Sequence, residues 1–96
     1  MSQLVWTPQA LRDVQRHHGF LVEKNAQAAQ RAVKVIQDAA KHLRDHPSIG
    51  RPVDDMAIEF REWLIDFGHD GFVMLYRIDQ NQVVVLAVRH QKESGY

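Results

Sequence analysis

Along the chain, short apolar runs at the two ends enclose a long middle stretch in which apolar residues return every three or four positions. Leu4-Val5-Trp6 is stopped by Thr7-Pro8, which predicts a strand and then a helix with Thr7 as N-cap and Pro8 in its first turn. Leu11, Val14, His18, Leu21 and Val22 then mark one face of that helix. Gly19 weakens it by roughly 1 kcal/mol relative to alanine without ending it. Asn25 either closes this helix or caps the next. Ala29, Ala32, Val33, Ile36, Ala39, Ala40 and Leu43 form the longest apolar stripe, backed by Gln27, Gln30, Arg31, Lys34, Gln37, Asp38 and Lys41. That many alanines let a neighbour approach closely, and the short connection makes an antiparallel helical hairpin the natural arrangement.

Pro47, Gly50 and Pro52 end the helical pattern, and Val53 to Glu59 reads as a loop. From Phe60 the period becomes two, with Trp63, Ile65 and Phe67 alternating with Glu62, Leu64 and Asp66. A turn at Gly68–Gly71 leads into a strand over Phe72–Ile78, and a turn at Asp79–Gln82 into a last strand over Val83–Val88. The uniform apolarity of that last strand predicts an interior place in the sheet, with the N-terminal strand beside it. The expected fold is α+β, in the order β-α-α-β-β-β. An antiparallel-rich four-stranded sheet packs against an N-terminal helical hairpin. At 96 residues, the expectation is a single domain spanning 1–96.

Composition narrows the function classes. With no cysteine, there is no disulfide framework and no cysteine nucleophile or thiolate metal site. The N-terminus lacks the pattern of a signal peptide, and the apolar run Val83–Val88 is too short to cross a bilayer, so a cytoplasmic protein without membrane contact is expected. Net charge is zero, yet residues 1–50 carry seven basic and four acidic side chains, and residues 51–96 carry five and eight. A protein that grips a nucleic-acid backbone shows a basic surplus or stripe. The missing surplus counts against nucleic acid as the principal ligand.

Phe60-Arg-Glu, Phe67-Gly, Gly71-Phe-Val-Met-Leu-Tyr-Arg and Leu86-Ala-Val-Arg-His-Gln-Lys-Glu-Ser-Gly-Tyr96 closely resemble the RelE/ParE family of type II toxin–antitoxin toxins, which includes plasmid stabilisation proteins. The segment His46-Pro-Ser-Ile-Gly-Arg-Pro52 is similar to the one those proteins carry after their helical hairpin. The resemblance implies a bacterial growth inhibitor neutralised by a cognate antitoxin. It also implies one of two activities: RelE-like members cleave messenger RNA in the translating ribosome, and ParE-like members bind and block DNA gyrase.

Cleaving RNA to a cyclic phosphate needs a base, an acid and positive charge about the phosphate. RelE-like nucleases supply these from lysines and arginines of the middle strands and a C-terminal tyrosine. Here Val73 stands where such nucleases commonly carry an arginine, and the preceding strand offers Arg61 but no lysine cluster, with Asp66 repelling phosphate. A ribonuclease built on this chain would use Arg61, Arg89, His90, Lys92 and Tyr96. The depleted set makes the ParE-like reading the better one. Arg61, Arg77, Arg89, His90, Lys92 and Tyr96 then become residues that contact the target or antitoxin. Arg61 and Arg77 also suit structural pairing with Glu59, Glu62 or Asp79. The aromatic residues, Phe20 among them, are assigned mainly to the core. His17, His18, His42, His46, His69 and His90 are too scattered for a zinc site, and no metal or cofactor is expected. His42 and His46 suit the C-terminus of the second helix. The expected partners are the antitoxin and gyrase, or alternatively the ribosome and its mRNA. A homodimer is compatible with the same reading, as is a toxin that keeps antitoxin binding without activity.

Overall fold

A computed structural model describes residues 3–93. Strand β1 (Gln3–Trp6) leads into helices α1 (Pro8–Val22) and α2 (Ala26–Asp45). A 3-10 turn (Pro47–Ile49) and strands β2 (Arg51–Pro52), β3 (Phe60–Phe67), β4 (Asp70–Asp79) and β5 (Gln82–His90) follow. The sheet runs β1-β5-β4-β3-β2, with β1 parallel to β5 and the other neighbours antiparallel. The α+β class and the place of β1 beside β5 agree with the sequence pattern, but the sheet has five strands rather than four. The added strand, β2, is a two-residue pairing of Arg51 and Pro52 with Glu62 and Arg61. So short a segment, half of it proline, carries no periodicity to read.

Thr7 caps α1 by accepting the Ala10 N–H, and it also ties the end of β1 to the sheet by donating to the Val85 carbonyl at 2.8 Å. Asn25 caps α2 by accepting the Ala28 N–H, which settles its role. His42 and Arg44 lie in the last turn of α2 and His46 at its C-cap, so Arg44 places a positive charge near the helix carbonyls. Ala32, Ile36, Ala39, Ala40 and Leu43 of α2 and Ala10 of α1 bury themselves with Ile65, Phe72, Met74, Tyr76, Val83, Val85 and Val88 of the sheet. Ala29 is also buried, while Val33 is only half-buried.

The buried face of α1 differs from the expected one. Leu11 and Val22 are 50% and 41% exposed, and the helix buries Ala10, Asp13 and His17, with Val14 and Leu21 packed beside them. Counting apolar residues alone finds Val14 and Leu21 but misplaces the centre of the buried face, because two of its positions are polar and bonded.

Both hairpins are tighter than the turn residues suggest. Phe67 pairs with Asp70 across Gly68-His69, and Asp79 pairs with Gln82 across Gln80-Asn81. Gly68 sits at φ 62, where glycine is unstrained, but Gln80 occupies φ 53 with a full side chain. Replacing Gln80 with glycine is therefore expected to stabilise the protein by roughly 0.5–1 kcal/mol, read as a higher urea midpoint. A lower midpoint would contradict this account of the turn.

The register of β5 shifts once. Leu75 pairs with Ala87 and Tyr76 with Val85, so Leu86 is an extra residue in the ladder. Before this bulge, Val83 and Val85 face the helices; after it, Val88 does. A strict two-residue alternation would point Ala87 and Arg89 at the helices. The bulge instead turns Val88 and His90 toward α1 and sends Arg89 to the other face with its cross-strand partner Val73.

Candidate target-contact site

Past Trp6, β1 no longer covers the outer edge of β5, and α1 takes over. Val88 points its backbone N–H and C=O to that edge. The N–H donates to Asp13 Oδ2 at 2.9 Å, and the C=O lies 2.7 Å from His17 Nε2, which donates to it as the protonated nitrogen. Gln9 Nε2 donates to the other Asp13 oxygen at 2.8 Å. Asp13 and His17 are both 6% exposed. Two side chains one helical turn apart thus do the work of a neighbouring strand, which is required where backbone groups would otherwise be buried unpaired. Sequence reasoning missed both residues. The available signal was their i, i+4 spacing on the face of Ala10 and Leu21.

Burial, with the Val88 bond opposing, moves the His17 pKa below its ordinary value of 6.5. A neutral buried imidazole binds fewer protons than the unfolded one, so its stabilising contribution is complete above pH ~6.5 and declines as pH falls toward the folded pKa. Thermal melts between pH 7.5 and 5 are expected to show this decline in the wild type. His17→Gln should lack that part of it, and an identical decline would contradict the assignment.

Immediately after Val88 comes the polar string. Arg89 Nη1 donates to the Glu93 carbonyl at 2.7 Å, holding the turn that follows β5. His90 stands edge-on to Phe72 at 6.0 Å, and its Nδ1 accepts the Lys92 N–H at 3.1 Å. Lys92 Nζ lies 3.5 Å from Asp70 Oδ2, and His90 Nε2 lies 3.9 Å from the same oxygen. Arg16 of α1 binds Glu93 through two bonds of 2.8 and 3.3 Å. This pairing holds the Glu93 carboxyl below its usual range and raises the Arg16 guanidinium. Arg16, His17, Phe20, His90, Lys92 and Glu93 line a cleft of about 500 Å3 between α1 and the turn. Phe20, assigned to the core by residue type, stands 62% exposed at its edge with Lys24 Nζ 4.1 Å above the ring.

Arg61 belongs elsewhere. It donates to the carbonyls of Gly50 at 2.7 Å and Ser48 at 3.3 Å, rather than to the carboxylates expected for it. Beside it, Tyr76 Oη donates to the Pro47 carbonyl at 2.6 Å and accepts the Gly50 N–H at 3.0 Å. Burial raises the Tyr76 pKa. Together these bonds fasten the 47–52 segment to the sheet. Arg61 pairs with Tyr76 and His90 with Phe72, four residues apart along β4 and on opposite sides of it. That separates them by about 13 Å along the strand direction alone. Arg77 is on the sheet face turned from the helices, across from Phe60 and Val84, with Asp79 at 3.9 Å. The structure therefore brings His90 and Lys92 together, with Arg89 behind them, and separates Arg61 and Arg77 from them. Tyr96 lies outside the described residues. Among the described residues, no group of three His, Asp or Glu side chains is placed to hold a metal ion, and no helix is long and apolar enough to cross a membrane.

The sequence model of the ParE toxin of type II toxin–antitoxin systems (parDE) matches residues 4–95. The chain belongs to this family of toxins. The toxin is 33% identical over 93 residues to Toxin RelE3 of Caulobacter vibrioides, covering 97% of this chain and 98% of that one. It is 34% identical over 84 residues to Toxin RelE1 of the same organism, covering 88% and 87%. Its fold superimposes on a chain of the chromosomal ParDE system from P. aeruginosa with a TM-score of 0.77 at 21% identity, covering 96% of the toxin and 98% of that chain. A chain of the toxin–antitoxin complex RelBE2 from Mycobacterium tuberculosis gives 0.67 at 22% identity, with coverage of 93% and 96%. Relatives and neighbours thus carry both RelE and ParE names, and the shared fold serves both.

Proposed function

We propose that this toxin, acting as a single cytoplasmic domain, arrests growth by binding a protein target, DNA gyrase, and that a cognate antitoxin sequesters it. The observation that supports binding over RNA cleavage is the division of the candidate catalytic residues. Arg61 is engaged by backbone carbonyls at one end of the sheet, while His90 and Lys92 are at the other beside Asp70. A phosphate has to meet its base, its acid and its cations within hydrogen-bond reach, about 2.6–3.2 Å, or through one water. Asp70 next to His90 and Lys92 adds repulsion for a phosphodiester. An exposed aromatic, basic side chains and an adjoining cleft suit a protein surface better. On this reading Arg89, His90 and Lys92 contact the target or antitoxin, and Arg61 and Arg77 support the sheet that carries them. An antitoxin partner accords with the ParDE and RelBE2 systems, whose toxins share the fold.

The RelE names of the two Caulobacter relatives favour the second reading, ribosome-dependent cleavage of mRNA. Mapping of RNA 5′ ends shortly after induced expression separates the two. Intact transcripts during growth arrest are expected. Early codon-phased cuts, abolished by His90→Ala or Lys92→Ala, would establish the nuclease reading instead.

A further inference from the structure

We propose that Asp13 and His17 are positioning residues for the Arg89–Lys92 string, so that α1 sets where the contact surface stands. The proposal rests on the reading above that this string meets the target. Four observations carry it. The string begins one residue after Val88, the residue whose N–H and C=O are both held by α1. The bulge at Leu86 resets the alternation just before the string; beyond it β4 holds the inner edge through Val73–Arg89, Phe72–His90 and the Gln91 N–H to the Gly71 carbonyl, so the outer edge is the one left for α1 to hold. On the outer edge, the last backbone bond given by the β1 segment is from the Thr7 N–H to the Val85 carbonyl, three residues short of Val88. The ring of His17 packs 4.8 Å from Phe72, which His90 in turn touches edge-on, so one side chain contacts both the strand and the ring beneath His90.

Asp13 and His17 are almost fully buried, so neither offers more than a small area to a target. Their effect passes through Val88. An apolar residue at 13 removes the acceptor of the Val88 N–H, whereas asparagine keeps an oxygen there. Glutamine at 17 keeps an N–H for the Val88 carbonyl, whereas leucine does not. The proposal separates these pairs by chemistry rather than by size.

The test compares Asp13→Asn, Asp13→Leu, His17→Gln and His17→Leu in the full chain, scoring growth arrest per unit of soluble protein and amide exchange at Val88. Ile36→Val and Ile36→Ala, core variants on α2 that leave the bonds of Asp13 and His17 to Val88 in place, supply controls matched in Tm. The expected result is at least tenfold faster Val88 exchange in Asp13→Leu, with potency lowered at least tenfold below the matched control. Asp13→Asn and His17→Gln should stay within about threefold of the wild type in both readouts. Equal potency of Asp13→Leu and its matched control, despite faster Val88 exchange, would overturn the proposal. Should Asp13→Leu not fold, His17→Leu against its own matched control decides on the same terms. His90→Ala and Lys92→Ala distinguish the two levels. If both keep full potency, the contact reading fails and the positioning role with it. If they lose potency while the leucine variants match their controls, the positioning role alone fails.

Discussion

Phe72→Ala is expected to cost about 3–5 kcal/mol, the range for removing a buried aromatic ring that its surroundings cannot refill. Phe72 is 2% exposed on the central strand and contacts three rings: His17 at 4.8 Å, Phe67 at 5.6 Å and His90 at 6.0 Å. The void would open under the site, so the loss should appear both in the urea midpoint and in the packing of His90. Chains of this size have about 5–15 kcal/mol of total stability, so the variant should be partly unfolded near 37 °C. A cost below about 1 kcal/mol would show that the ring does not organise this end of the core.

Gly50→Ala should be nearly as damaging, through crowding rather than through a cavity. Gly50 has an ordinary φ of −68, so backbone conformation does not require glycine here. Space does: a Cβ at this position would collide with Tyr76 Oη and lie 2.7 Å from Tyr76 Cε1 and 2.9 Å from the Glu62 carbonyl oxygen. Tyr76 is fully buried and tied to Pro47 and Gly50, so the ring has no free direction in which to yield. Overpacking of this kind costs about 1–3 kcal/mol, and an unmade bond at a buried group adds about 1–3. A fall in Tm of more than about 10 °C is expected. Tyr76→Phe removes the colliding oxygen, so the double variant should be less destabilised than the sum of the two single changes. Strict additivity would place the damage somewhere other than this contact.

What could be read from the sequence follows from where one physical signal dominated. The α2 stripe was legible because one-sided burial sets its periodicity, and β4 and β5 because continuous apolar runs between turns mark strands buried on both faces. The buried face of α1 was not, because Asp13 and His17 satisfy a strand edge and so occupy positions that a hydrophobic count passes over. The facing of Arg89 and His90 was hidden by Leu86: in an all-apolar strand, an extra residue leaves no trace in the pattern. Arg61 and Tyr96 show two further limits. The structural role expected of Arg61 is present, but with carbonyl partners rather than carboxylates, since the 47–52 segment folds back beside it. Tyr96 falls outside the described residues, so its part in the site stays a proposal. The family was legible from the motifs between Phe60 and Tyr96, and the match over residues 4–95 bears it out.

The most direct test of the central claim is a titration of purified toxin into purified gyrase, with plasmid supercoiling as the readout and mRNA on translating ribosomes assayed in parallel. Inhibited supercoiling with intact mRNA is the predicted result, and Arg89→Ala and Lys92→Ala should weaken that inhibition. Undisturbed supercoiling at excess toxin, together with codon-phased mRNA cuts, would contradict it.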